Sequence, residues 1–260
     1  MKHSLKIAFF HFFYASFFTQ SNVFAASVEI GKTSNVEWFV GVINPESVAK
    51  FITKMEGKKI DRIGLISPGG DVGAAIALAR WIKQRDLDVQ VRTFCISSCA
   101  NYLFIAGKNK YIESEALISW HGSVEQKNFR NFQTEYENIK EKSEKKEVEL
   151  SEVERRFLID MAKKYVRLKE IRELQQKFFS DMKVDEEITR LGQEPILYSM
   201  GRWTASTAVM KKYGITNVFA DDNYGKFDYM KNSKFTPIVF RKGLLSFDLD
   251  EQDKLIPLIE

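Results

Sequence analysis

The sequence is poor in the residues that build metal and redox centres. Among its 260 residues are two cysteines, three histidines and five prolines. Two cysteines without a nearby third ligand make a poor zinc site. The spacing in Cys95-Ile96-Ser97-Ser98-Cys99 also differs from the Cys-x-x-Cys of a redox pair. The sequence therefore predicts neither a metal nor any other cofactor.

The chain also lacks a strong excess of charge of one sign. Its 39 basic and 35 acidic residues give a formal net charge of +4. Residues 1–25 carry two lysines and no acid, so removing them lowers this charge to +2. So small a net charge argues against nucleic acid as a partner. An apolar share of 44% is that of an ordinary globular protein, and the sequence has no internal repeat or low-complexity linker.

Long apolar runs are absent beyond the N-terminus. Residues 1–25 combine a basic start, an apolar stretch and small residues near a cut site, a pattern typical of a cleaved secretory signal. The stretch is shorter than the roughly 20 residues of a spanning helix, and an uncleaved anchor is the alternative. We predict an exported protein, periplasmic or secreted, with no stable membrane insertion after cleavage. Export would place Cys95 and Cys99 in an oxidising compartment, where a disulfide between them is expected.

The first half of the chain alternates apolar strand-like runs with helical patterns, which is typical of stacked units in an α/β protein. Asn44 with Pro45, and later Asp71, have the composition of helix caps. Residues 204–214 are predicted to be helical. The predicted strands cover residues 36–43, 62–66, 89–94, 116–120 and 215–219.

Between residues 126 and 180 the sequence becomes strongly charged. Residues 140–149 predict a solvated helix or a loop, with partner recognition as the alternative. Ser151 and Glu154 form a capping-box pattern. The following helix has an apolar stripe that would contact the protein body or a second subunit, at Phe157, Met161, Tyr165, Leu168 and Ile171.

Three segments have the residue types that acyl-transfer chemistry requires. In Ser67-Pro68-Gly69-Gly70, two glycines after a strand let the backbone approach a ligand and turn N–H groups towards an anion. Ser98 lies where a strand should turn into a helix, so the Cys99 N–H that follows it could stabilise an oxyanion. His121 is the one histidine beyond residues 1–25, which makes it the candidate general base.

Each of these segments also has a purely structural interpretation. Pro-Gly-Gly is common turn chemistry. Ser97 or Ser98 could simply cap the helix of residues 99–107, and His121 could be a buried histidine beside Trp120. The combined order and spacing of the three segments favour the catalytic interpretation.

This order and spacing resemble the Clp protease proteolytic subunit and, more closely, its exported Clp-like relatives in bacteria, within the ClpP/crotonase superfamily. The resemblance runs from about residue 36 to residue 122 and resumes near Trp203. In the family a strand ends in Ser-Pro-Gly-Gly. The nucleophilic serine stands nine residues before the glycine of an apolar helix, as Ser98 does before Gly107. A histidine then ends a strand some two dozen residues later, as His121 does.

The resemblance implies ClpP/crotonase-like stacked β-β-α units and a Ser-His-Asp hydrolase that often forms ring-like homo-oligomers. It makes Ser98 the nucleophile and His121 the base, with the oxyanion held by the N–H groups of Gly70 and Cys99. The corresponding boundaries are a signal peptide over residues 1–25, a ClpP-like domain over 26–222 with the charged helical insertion over 126–180, and a C-terminal tail over 223–260.

The acidic member of the triad departs from the family pattern. The family's aspartate comes just before a Tyr-Gly helix, where this chain has Arg202-Trp203. Asp185 and Glu194 are the nearest acids upstream, and Asp185 is the slightly preferred candidate.

Together these features predict an exported Clp-like serine hydrolase, most simply a peptidase that acts on a peptide or protein through an acyl-enzyme. Two other functions stay open. The chain could be a non-catalytic binding or assembly module on the same fold. It could also be an acyl-CoA enzyme of the crotonase type, which would use backbone N–H groups without needing Ser98 or His121.

Overall fold

The computed structural model describes residues 35–145, 151–193 and 201–260. The signal peptide predicted over residues 1–25 lies outside the described residues, as do Glu194 and residues 146–149 of the charged run. No helix in the described ranges is both long enough and apolar enough to span a bilayer.

Two sheets organise the described part of the chain. The strands are β1 (Val36–Val40), β2 (Arg62–Ser67), β3 (Asp88–Ile96), β4 (Lys110–Ile112), β5 (Leu117–Ser119), β6 (Thr204–Ala205), β7 (Val218–Phe219), β8 (Leu245–Leu249) and β9 (Leu255–Ile259). The larger sheet has the order β1-β2-β3-β4-β7, with β5 also paired to β3, and all of its pairings are parallel. The smaller sheet has the order β6-β8-β9. The protein is therefore mixed α/β with a parallel central sheet, as the alternating pattern predicts.

Helices connect and cover these strands. The predicted caps are confirmed, because the side chains of Asn44 and Asp71 accept hydrogen bonds of 2.8 Å from the N–H groups of Ser47 and Ala74. The α-helices are α1 (Pro45–Lys54), α2 (Val72–Gln84), α3 (Lys127–Glu144), α4 (Glu152–Met182), α5 (Thr207–Lys212), α6 (Phe227–Asn232) and α7 (Thr236–Val239). A π-helix spans Cys99–Phe104, and two 3₁₀-helices span Glu186–Thr189 and Leu191–Gln193.

Helices α3 and α4 form most of the charged segment. Along the predicted apolar stripe of α4, Met161 is buried whereas Phe157 is 59% exposed. The buried side of α4 contacts α2 and α3. The middle of the stripe therefore packs on the protein body, while its beginning does not.

Residues 223–260, predicted as a tail, are an integral part of the fold. Strand β8 pairs in parallel with β6 and antiparallel with β9. Tyr224 and Tyr229 are buried, and each contacts the segment that leads into His121. The Ile118 N–H donates to the Tyr224 hydroxyl, and the Tyr229 hydroxyl donates to the Ala116 carbonyl, both at 2.8 Å. The C-terminal residues thus hold β5 in place.

Candidate active site

The candidate catalytic residues meet at one edge of the central sheet. Strands β2, β3 and β5 are parallel neighbours, so their carboxyl ends lie together. Ser67 pairs with Cys95, and Ile96 pairs with Ser119. The glycine turn, the serine turn and His121 follow these paired residues directly. The spacing read from the sequence therefore becomes proximity in space.

Ser97 occupies the turn between β3 and the π-helix. Its φ is +59°, in the left-handed region that a non-glycine residue seldom adopts. A strained strand-to-helix turn of this kind is how α/β hydrolases expose a nucleophilic serine. Ser97 is partly exposed, and its Oγ lies 2.6 Å from Nε2 of His121. A serine–histidine hydrogen bond of this length is also the contact that links a nucleophile to its base in hydrolases.

The adjacent Ser98 faces the glycine turn. Its side chain is buried, and its Oγ donates a 2.8 Å hydrogen bond to the carbonyl of Gly70. Ser98 already has helical backbone angles, φ −58° and ψ −25°. Because the left-handed turn is at Ser97, the two consecutive hydroxyls diverge. The structure brings His121 together with Ser97, and not with Ser98, the serine that the nine-residue spacing to Gly107 indicates.

Gly69 and Gly70 lie against the serine turn and have φ values of +91° and +152°. A Cβ on Gly69 would lie 2.7 Å from the Ser97 Cβ and 2.9 Å from the Ser98 nitrogen, so this approach requires glycine. The Gly69 N–H donates to Ser67 Oγ at 3.1 Å. Among the described residues, the Gly70 N–H donates to no other group. Of the two glycine amides it is therefore the one suited to an oxyanion. The amide that follows Ser97 is that of Ser98, where the sequence prediction has Cys99.

His121 lies opposite Arg202. Trp120 and Trp203 form an antiparallel bridge with backbone hydrogen bonds of 2.8 and 2.9 Å, so residues 121 and 202 are the next facing pair. Partial loss of water, followed by the Arg202 cation, lowers the pKa of His121 below its ordinary value of about 6.5. Its imidazole is therefore neutral at pH 7, and Nε2 is able to accept the Ser97 proton.

Replacing Arg202 by glutamine will move the acid limb of the rate profile to higher pH. The cation disfavours the imidazolium, so its removal raises the pKa of His121 and protonates the base at a higher pH than in the wild type. The check is the pH dependence of kcat/KM together with an NMR titration of His121, the only histidine beyond residue 25. Lys211→Gln, a change of the same charge on α5, is the control. A downward shift in Arg202→Gln alone would contradict the assignment.

No acidic residue in the described ranges is among the groups that shift the pKa of His121. Asp185 is exposed, and its carboxylate caps the 3₁₀-helix Glu186–Thr189 by accepting from the Glu187 N–H at 2.9 Å. The structure therefore does not bring Asp185 to the imidazole. The acidic member of a triad stays a prediction, and the described residues form a Ser97–His121 pair.

Cys95 and Cys99 lie on either side of the serine turn at disulfide distance, with Cα atoms 5.2 Å apart. Both are fully buried. A bridge that encloses only three residues removes little entropy from the unfolded chain. Its main effect is therefore on the local shape of the turn that holds Ser97.

Removing this bridge will affect the rate at which the serine turn is acylated more than it affects the stability of the fold. In the double variant Cys95→Ala/Cys99→Ala we expect acylation to slow about tenfold or more, because small displacements of a nucleophile cost that much. The thermal midpoint should change little. Wild-type protein that is unfolded, reduced with dithiothreitol and then refolded should show a similarly slow acylation. The same treatment should not change the acylation rate of the double variant. A double variant with the wild-type acylation rate would show that the bridge does not shape the turn.

Buried polar side chains behind the turn were missed by sequence reasoning. Asn101, in the π-helix, donates a 3.0 Å hydrogen bond to the carbonyl of Gly122 and so fixes the residue after His121. Tyr102 donates at 2.5 Å to Gln175 of α4. Residues 99–107 form an almost wholly apolar run, and the single polar amide of Asn101 within it was the available signal.

Helix α4 forms ion pairs with residues on both sides of the site. Arg167 lies 3.3 Å from the carboxylate of Asp71, the residue after Gly70. Arg172 lies 2.5 Å from the carboxylate of Glu125, in the loop that follows His121. The charged insertion therefore contacts residues next to the glycine turn and beyond the histidine.

No protein-family model and no curated protein sequence matches the chain. In the part of the chain that the structure describes, no group of three or more His, Cys, Asp or Glu residues is arranged to hold a metal ion. The groups that the described residues bring together at this site are a serine, a neutral histidine and backbone amides.

Proposed function

We propose that the chain is a serine hydrolase in which Ser97 is the nucleophile and His121 the general base. The observation that carries this proposal is the 2.6 Å contact between Ser97 Oγ and His121 Nε2 at a turn with φ of +59°. A serine that only capped a helix would need neither the histidine nor the left-handed backbone. The lowered pKa of His121 gives the same pair a competent base at neutral pH.

In the proposed reaction, His121 Nε2 takes the proton of Ser97 as Oγ attacks the carbonyl carbon of the substrate. The oxyanion that forms accepts hydrogen bonds from the N–H groups of Ser98 and Gly70. The imidazolium then gives its proton to the leaving group, and the carbon–heteroatom bond breaks to leave an acyl-enzyme. Finally, His121 deprotonates a water molecule that attacks the ester, which releases the acid and restores Ser97.

We further propose a Clp-like peptidase that acts after export. Its support is the resemblance in sequence order, together with the meeting of the glycine turn, the serine turn and His121 at one sheet edge. The cysteine pair at disulfide distance is compatible with an oxidising compartment. Peptide or protein substrates and a homo-oligomer belong to this proposal as well.

A fluorophosphonate probe tests the proposed chemistry. We expect the folded wild type to gain the mass of one phosphonyl group and the Ser97→Ala variant to gain none. The same protein should hydrolyse a peptide or an activated ester. A folded wild type that is neither labelled nor hydrolytic would contradict the proposal and favour the binding module. Saturable binding of an acyl-CoA without labelling would favour the crotonase type.

A further inference from the structure

We propose that Ser98 is a positioning residue whose hydroxyl joins the two halves of the oxyanion hole. The inference rests on the proposed function, because it concerns the two amides that would hold the oxyanion. Ser98 supplies one of these amides itself. Its side chain then holds the residue that supplies the other, Gly70, through the 2.8 Å hydrogen bond to the Gly70 carbonyl.

The glycine turn is anchored from two directions. On the side of β1, the Ile43 N–H donates to the Gly69 carbonyl at 2.9 Å, and the Asp71 N–H donates to the Ile43 carbonyl at 2.8 Å. On the side of the serine turn, the Ser98 hydroxyl is the group bonded to the Gly70 carbonyl. Its loss would leave the glycine turn bonded to Ile43 but would remove its hydrogen bond to the serine turn that carries the Ser98 amide.

Gly70 depends on such an anchor because it lacks a Cβ. Glycine has the widest choice of backbone angles, so its peptide groups rotate unless hydrogen bonds fix them. A side chain could not replace the anchor, because a Cβ on Gly70 would lie 2.0 Å from the Ile43 carbonyl oxygen. A hydrogen bond to the Gly70 carbonyl is therefore a direct way to fix how its N–H is aimed.

Burial separates this role from that of a nucleophile. Ser98 is 3% exposed, whereas Ser97 is partly exposed and in contact with His121. The Ser98 hydroxyl proton is directed at a carbonyl oxygen, which is not a general base. Ser98 thus acts through the orientation of the glycine turn and does not touch the reacting atoms with its side chain.

The test compares Ser98→Ala with Ser119→Ala. Ser119, in β5, is a fully buried serine whose hydroxyl has no hydrogen-bond partner among the described residues, so the matched change removes a buried hydroxyl that anchors nothing. Losing one oxyanion donor outright costs about 10²–10³ in kcat, so misaiming one should cost about 10- to 100-fold. We expect that loss in Ser98→Ala with KM nearly unchanged, and wild-type kinetics in Ser119→Ala. Ser98→Thr keeps the hydroxyl and should recover most of the rate.

Fluorophosphonate stoichiometry keeps the inference separate from the proposed function. Ser98→Ala should still take up one phosphonyl group per chain, but more slowly than Ser119→Ala. Wild-type kcat in Ser98→Ala would overturn the positioning role, as would a lower thermal midpoint without a lower rate per titrated site. Complete loss of labelling in folded Ser98→Ala would make Ser98 the nucleophile and overturn it too. Activity retained by Ser97→Ala would instead refute the proposed function itself.

Discussion

Replacing Ser97 by alanine will abolish covalent turnover, with a decrease in kcat/KM of about 10³-fold or more. The Oγ of Ser97 is the atom within 2.6 Å of His121 Nε2, so its removal takes away the nucleophile and leaves the histidine without a proton to accept. Only the backbone amides and substrate binding remain to accelerate the reaction, and in serine proteases these leave a small residual rate. The measurement is steady-state hydrolysis of a peptide or ester by purified, folded protein.

Folding must be kept apart from chemistry in that comparison. Ser97 has a left-handed backbone, so alanine there keeps the existing strain and adds none that serine lacks. The circular dichroism spectrum and thermal midpoint of Ser97→Ala should therefore stay close to the wild type. Ser98→Ala differs from it by one position and should retain measurable turnover. If Ser97→Ala retained turnover while Ser98→Ala lost it, the roles of the two serines would be reversed.

Replacing His121 by glutamine will lower kcat/KM by about 10²–10⁴-fold, the usual contribution of a general base. Glutamine can still bond to the Ser97 hydroxyl but cannot accept its proton at neutral pH. The side chain of His121 is exposed, so the fold should tolerate the change. Kinetics across pH 5–9 are the check, because the acid limb that reports the imidazole should disappear with it.

A second outcome distinguishes a base from a structural histidine. Hydroxide replaces the missing base as pH rises, so the residual rate of His121→Gln should increase steadily with pH. A variant that keeps the wild-type pH profile would show that His121 does not titrate in the reaction. Equal thermal midpoints of the wild type and His121→Gln would show that the change in rate does not come from a change in the fold.

The location of the site could be predicted because it depends on parallel strands. The glycine turn, the serine turn and His121 each follow a strand in the sequence, and parallel neighbours bring such positions to one sheet edge. The identity of the serine could not be predicted in the same way. It depends on which residue adopts the left-handed turn, and that local backbone angle places Ser97 on the histidine and Ser98 on Gly70.

The C-terminal residues show a second limit on what the sequence alone predicts. Strand β8 pairs with β6 and β9, and β6 is two residues long, so no periodic pattern in residues 223–260 indicates the partner. Tyr224 and Tyr229 are held by hydrogen bonds to segments more than 100 residues earlier in the chain. Contacts at such separation leave little trace in a single sequence.

In the charged insertion, the composition predicts exposure to solvent but not which residues of the protein the charged side chains contact. Its many charges predict a solvated helix or loop, yet Arg167 and Arg172 of α4 form ion pairs with Asp71 and Glu125 beside the site. For Arg167 an intrahelical partner was also available, because Glu170 lies three residues further along the helix. Only the tertiary packing of α4 brings these two carboxylates to Arg167 and Arg172.

Arg202 was the informative departure from the family pattern. At the position where the resemblance implies an aspartate, the sequence has a cation, and the structure puts that residue opposite His121. An aspartate would raise the pKa of the imidazole, whereas partial loss of water around the ring and the Arg202 cation lower it. The proposed site therefore relies on a histidine that is neutral over a wider pH range.

The most direct measurement is to identify the residue that carries the fluorophosphonate adduct. Trypsin should release residues 93–108 as one peptide after reduction and alkylation, and this peptide contains both serines. Tandem mass spectrometry then separates the fragment ions that place the added mass on Ser97 or on Ser98. We predict the phosphonyl group on Ser97. An adduct on Ser98, or a folded wild-type protein with no adduct on this peptide, would contradict the account.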